Sequence, residues 1–276
     1  ISTLSLHDAL PISIKNEHIE NLLKDKKELL KKISGIVNVD SSFSISDSAE
    51  IDGNSTLEIS MLKFLDVSFE KLTIPVKFSA KNNEDDFLSV SGNFKLPEFN
   101  YSETKVSNTS AKFSFLSKKA VWESQSSIGE GLVLLKMEGD LSEKKWNGAI
   151  STREVPLNNK FFKSLQYVSP IFYVPGKEVS EEITGTLDSN IEFESNANNI
   201  SNIKDIEKSI KGKGTLIIKN GTIAGPPILA KILATLGLNN VKYRFKKMDG
   251  EIFIENGLIH TKKLDFEGNQ IGRAHV

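Results

Sequence analysis

The chain has no cysteine, so disulfide staples and thiolate metal sites are excluded. It has no run of about 18 or more apolar residues, the length a membrane-crossing helix needs. Neither charge sign dominates, with 35 basic against 36 acidic residues, which removes the electrostatic footprint expected of a nucleic-acid binder. Chemistry is sparse too. Lys211-Gly-Lys-Gly-Thr215 has the look of a phosphate loop, but position 207 is Glu and no Ser or Thr directly follows Gly212-Lys213. Ser127-Ile-Gly-Glu-Gly131 reads as a turn. His260 has no second histidine near it, and His18 falls on the polar side of its segment. Asp85-Asp86 and Glu181-Glu182 read as solvated loop acids, and the Asn-x-Ser/Thr triplets as chance in a chain rich in those residues. No nucleophile sits with a base, so the expectation is a protein that is not an enzyme and has no cofactor or metal.

Alternation of apolar and polar residues dominates instead. Leu65, Val67 and Phe69 alternate with Asp66, Ser68 and Glu70. Ile74, Val76 and Phe78 alternate with Pro75, Lys77 and Ser79; Leu88, Val90, Phe94 and Leu96 do the same, with Gly92 in one inward place. Phe113 and Phe115, Leu132 and Leu134, then Leu187, Ile191 and Phe193 extend the theme. A two-residue period places one apolar and one wet face on an antiparallel sheet. Lys81–Asp86 and Asn100–Asn108 read as loops between strands, and Pro75 as an edge or bulge position. Helical spacing marks residues 15–33, stopped at Gly35, then Phe161–Val168, Ile203–Ile210 and Ile228–Leu236 after Pro226-Pro227. The Lys-rich part of the first helix has two readings, a solvated face or a membrane-surface segment.

The most specific stretch is Gly214–Gly268. Gly214-Thr-Leu-Ile-Ile-Lys-Asn-Gly-Thr-Ile223 and Gly250-Glu-Ile-Phe-Ile-Glu-Asn-Gly-Leu-Ile259 share one pattern, and each Asn-Gly signals a two-residue hairpin turn. Leu216, Ile218, Ile252 and Ile254 are the inward residues of these hairpins. The segments GKGTLIIKNGTIAGPPILAKILATLGL and YRFKKMDGEIFIENGLIHTKKLDFEG resemble the C-terminal module of the AsmA-like bacterial envelope proteins. The likeness covers about 204–270 and, more loosely, Leu157–Ser195.

That resemblance implies a mainly β fold with α insertions, an antiparallel curved meander open as a groove, with amphipathic helices packed at its ends. The expected division is an amphipathic helix over 14–35, a β-sheet region with an inserted helix over 36–200, and a hairpin–helix–hairpin module over 201–270, with Ser195–Asn202 as boundary. Residues 1–13 and 271–276 resemble translated adapter sequence, so His7 and His275 and both ends are set aside. The resemblance also implies a periplasmic location, a parent protein anchored in the inner membrane through an N-terminal span missing here, and a phospholipid or other acyl lipid as partner. Bridge-like lipid transporters, which the family is similar to, line a gutter with alternating apolar side chains. Exposing each methylene costs about 0.8 kcal/mol, so a lipid with roughly thirty of them needs an unbroken apolar strip. The strip residues expected here are Leu65, Val67, Phe69, Ile74, Val76, Phe78, Leu88, Val90, Phe94, Leu96, Leu216, Ile218, Ile252 and Ile254. A closed sandwich would use the same residues as its core. The competing functions are a structural or adhesive β-module of the envelope and an outer-membrane assembly factor.

Overall fold

A computed structural model describes residues 2–12, 33–46, 50–64, 67–81, 88–101, 104–158, 183–196, 209–224, 242–256, 258–268 and 274–275. Apart from the helical residue Ser209, their regular structure is β-strand. In chain order the strands are β1 (Ser2–Ile12), β2 (Ile33–Ile45), β3 (Ile51–Phe64), β4 (Val67–Ala80), β5 (Leu88–Tyr101), β6 (Thr104–Leu116) and β7 (Lys119–Ile128). There follow β8 (Gly131–Asp140), β9 (Lys145–Leu157), β10 (Ile183–Asn196), β11 (Ile210–Ala224), β12 (Lys242–Glu255), β13 (Leu258–Gly268) and β14 (Ala274–His275). Each strand pairs with its sequence neighbours in a single 14-stranded sheet of order β1 to β14. The ladders run antiparallel, as in β3 against β4 and β11 against β12. The meander is open, not closed into a barrel, with β1 and β14 at its two edges.

The expected helices over 15–33, 161–168, 203–210 and 228–236 lie outside the described residues except at their margins. At those margins Ile33–Gly35 begin β2, while Ser209 is helical and Ile210 begins β11. The expected loop Asn100–Asn108 is a correction. Strand runs to Tyr101 and resumes at Thr104, where Lys105 and Asn108 take outward places while Thr104 and Val106 are buried. The 2–12 and 274–275 segments pair with β2 and β13. β10 and β11 pair from Ile183↔Ile223 to Ser195↔Ile210, so the ladder is continuous across the expected boundary near 200.

Strands this long do not keep one face inward by strict alternation. In β4, Glu70 and Lys71 are both exposed, and the less exposed set changes from Val67 and Phe69 to Leu72, Ile74, Val76 and Phe78. β5 slips at Pro97-Glu98, β9 at Arg153-Glu154 and β12 at Lys246. Two slips are bulges of the same build. Met61-Leu62 stand against Gly35, and Asn220-Gly221 against Gly185. Met61 and Asn220 both have φ of 51°, the left-handed conformation that lets an extra residue enter a strand. Gly185 has φ of 134° and lies so near the Lys219 carbonyl that a side chain would collide with it.

Asn220-Gly221 is therefore a bulge inside the continuous strand β11, not the expected hairpin turn. The same preference for positive φ serves either structure. Asn256-Gly257 does close a two-residue hairpin, since Glu255 pairs with Leu258. Pro75 lies in an interior strand, but at the end of the unpaired interval between the Ser68↔Asn100 and Val76↔Gly92 contacts of β4 with β5. A residue without an N–H is tolerated there.

By internal contacts the chain forms two compact units. The first comprises Ile1–Tyr101, Lys105–Ser126 and Leu135–Trp146; the second comprises Ser102–Thr104, Ser127–Leu134 and Asn147–Val276.

Candidate functional site

In the first unit the apolar face of β4 to β9 encloses a trough of about 570 Å³. Val67, Phe69 and Leu72 come from β4, Phe94, Leu96 and Phe99 from β5, and Phe113 and Phe115 from β6. β7 adds Ala120 and Trp122, β8 Leu135 and Met137, and β9 Trp146. This volume falls in the range of about 300–1,000 Å³ usual for small-molecule sites. The rings form a cluster. Trp122 lies 6.4 Å from Phe113 in a stacked arrangement and 5.9 Å from Phe94 in a tilted one.

Glycines make room for these rings. A β-carbon at Gly92 would come within 2.6 Å of the Phe113 ring, one at Gly53 within 2.4 Å of Phe78, and one at Gly139 within 2.6 Å of Trp146. Each aromatic therefore lies over the bare backbone of the next strand, a packing that shields glycine's peptide groups.

Polar atoms on the wall satisfy one another. Thr109 and Ser126 share a hydroxyl–hydroxyl bond of 2.9 Å, and Trp122 Nε1 donates to Ser124 Oγ at 3.1 Å. Ser114, an exposed residue, is the further hydroxyl on the lining. The rest of the trough rewards apolar surface, at roughly 25 cal/mol per Å² removed from water.

The second unit presents the same kind of face, but packed on protein. Val155 is wholly buried, and Leu157, Ile218, Phe245 and Met248 join it in one cluster. Ile128, Val133, Leu187, Leu216 and Phe266 pack around them. Phe245 meets Phe266 edge-on at 5.9 Å and covers Gly221, where a β-carbon would come within 2.0 Å of its ring. At the bulge of β11, Asp188 accepts a 2.6 Å bond from the Glu154 backbone N–H and one of 2.6 Å from Lys219 Nζ. Burial pushes the Asp188 carboxyl up, but the Lys219 bond, the Glu154 N–H and the nearby charges of Lys219 and Arg153 outweigh it and hold the group below its ordinary range.

The expected strip residues thus separate. Val67, Phe69, Phe94 and Leu96 line the trough. Ile74, Val76, Phe78, Leu88 and Val90 lie buried or half-buried in β4 and β5 of the same unit. Ile218 and Leu216 belong to the packed cluster of the second unit, Ile252 is buried and Ile254 half-buried. Leu65 lies outside the described residues.

One expected phase is corrected. Leu134 is 41% exposed, while Val133 packs on the second unit's core and Leu135 and Met137 line the trough. The run Gly131-Leu-Val-Leu-Leu is apolar in both phases. What decides is Lys136, which turns outward to bond Glu123 at 2.8 Å. Leu72, Phe99, Trp122 and Trp146 were not among the expected residues. For Leu72 and Phe99 the signal was a pair of outward residues interrupting an apolar alternation, Phe69-Glu-Lys-Leu72 and Leu96-Pro-Glu-Phe99.

Among the described residues no group of three or more His, Asp or Glu could hold a metal ion, and no helix is long and apolar enough to cross a membrane. Comparison with protein-family models, with curated proteins and with solved structures returned no match.

Proposed function

We propose that this chain is a piece of an AsmA-like envelope protein, and that the trough of its first unit holds acyl chains of phospholipid passing between the inner and outer membranes. On this reading the protein works in the periplasm, its parent is anchored in the inner membrane, and no catalysis is involved. One observation carries the reading. An aromatic-rich wall of six strands has Thr109 bonded to Ser126 and Trp122 to Ser124, lining a mostly apolar space of about 570 Å³. An acyl chain matches such a wall because it needs coverage and no directional contact. The resemblance of the 204–270 segment supplies the biological setting.

The test is delipidated protein re-exposed to phospholipid vesicles and weighed by native mass spectrometry, with brominated acyl chains as a second readout. Lipid-bearing species and quenching of the Trp122 emission are the expected results, and Phe94→Asp abolishes both. Protein that stays lipid-free, with Trp122 unquenched, refutes the reading.

A second reading, a structural β-module of the envelope, draws on the second unit. There the apolar face is closed by protein around Val155. It expects no lipid and no effect of Phe94→Asp on quenching.

A further inference from the structure

At one end of the first unit two tight turns lie side by side. The β6–β7 tip comprises Leu116, Ser117, Lys118 and Lys119, and the β8–β9 tip runs from Leu141 to Lys145. They are tied by the Leu141 N–H, which donates to the Lys118 carbonyl at 2.7 Å, and Ser117 N–H reaches the Leu88 carbonyl at 2.7 Å. Leu116 is 49% and Leu141 40% exposed. Lys118, Lys119, Lys144 and Lys145 are all exposed around them.

The acids of these tips are engaged locally. Asp140 Oδ1 accepts from Ser142 Oγ, from Ser142 N–H and from Glu143 N–H, and Glu143 binds Lys145 Nζ at 2.7 Å. Lys118, Lys119 and Lys144 form no ion pair within contact distance among the described residues, although the Lys119 charge is near enough to help lower the Asp140 carboxyl. The 82–87 segment before Leu88 carries Glu84, Asp85 and Asp86, whereas the two tips carry four lysines against one acid, Glu143.

These tips also stand at the trough. Phe115, Ala120 and Trp146 line it, and each is the chain neighbour of a tip residue, Leu116, Lys119 and Lys145 respectively. We infer that the paired tips Leu116–Lys119 and Leu141–Lys145 dock on an anionic bilayer, the two leucines entering the interface and the lysines meeting lipid headgroups, so that the trough opens where acyl chains are available. The inference rests on the acyl-chain reading of the trough. Its chemistry is that of interfacial anchors, where exposed apolar side chains insert while basic residues next to them are drawn to acidic headgroups.

Vesicle flotation of the full chain tests it, using phosphatidylglycerol-containing against pure phosphatidylcholine vesicles. The wild type is expected to float with the anionic vesicles and to be released as salt rises from about 0.1 to 0.5 M. L116D/L141D should lower the partition about tenfold or more, and K118E/K119E/K144E by roughly a hundredfold. All five positions are exposed, so both variants are expected to fold as the wild type does, and circular dichroism verifies it. In parallel, uptake of a brominated fatty acid from solution, read by Trp122 quenching, reports the trough without a membrane. Quenching intact with no flotation, or flotation indifferent to both variants, overturns the docking inference and leaves the trough reading standing. Flotation intact without quenching refutes the trough reading instead.

Discussion

The two units use one device, an apolar sheet face paved with rings over glycines, and reach opposite ends. In the first unit Phe113 lies over Gly92 and Trp146 over Gly139, yet the rings stay half-buried around an open space. In the second, Phe245 lies over Gly221 but also meets Phe266 and Met248, and the space is filled. The difference is one of side-chain economy. Val155, Leu157, Ile218 and Met248 are compact or flexible side chains that close on each other, whereas Trp122, Phe94 and Phe113 hold one another apart as a rigid wall. Alternation in a sequence says which way a side chain faces; the shapes of the residues facing it decide whether the interior fills.

The sharpest way to break this comparison is to place a charge in each interior. Val155→Asp puts an unpaired carboxylate where no water reaches and is expected to destabilise the protein by about 4 kcal/mol or more, or to prevent folding. Phe113→Asp stands at an open trough and is expected to cost less than half as much, while abolishing acyl-chain quenching of Trp122. Urea unfolding of both variants measures the contrast, and equal losses would show the trough to be a packed core.

A smaller effect concerns the bulges. Asn220 holds φ of 51°, so Asn220→Val is expected to cost about 1–2 kcal/mol and Asn220→Gly to change stability by less. A valine tolerated without loss would mean the strand can run through this point unbulged.

The smallest effect is electrostatic. The Asp188 carboxyl is held below its ordinary value by Lys219 and the Glu154 N–H. Because its folded value lies below the unfolded one of about 3.9, its contribution is fully present above roughly pH 4 and is lost as pH falls through the folded value. Asp188→Asn should therefore be less stable than wild type near neutrality and converge with it in acid. Thermal melts across pH 2–7 test this, and parallel curves for the two proteins would remove Asp188 from the account.

Much of the strand content was legible because turn residues and alternation agree, as at Leu88–Leu96 and at the Asn256-Gly257 hairpin. What alternation alone obscured was its own interruptions. Asn220-Gly221 carries the same dipeptide as 256–257, and each is followed by two apolar residues within the next three, so nothing local distinguishes a strand that continues from one that turns back. Leu132–Leu135 was ambiguous in phase until Lys136 and Glu138 are counted as outward residues. The trough residues Phe69, Phe94 and Leu96 were readable as inward. Their partners Trp122 and Trp146 lie far along the chain, and nothing local marks them as neighbours.

The bulge opposite Gly185 has a consequence for how this chain tolerates change. Each strand behaves as a two-beat message in which gaining or losing one residue turns everything downstream inside out. Where Asn220-Gly221 already place two residues against one, that skipped beat is part of the message. Straightening this point with Asn220 kept in the ladder would give that residue the inward place and send Gly221 to the wet side, carrying off the slot in which Phe245 rests. A substitution that merely straightens the ribbon here would thus look harmless in a hydropathy plot and be ruinous in the fold.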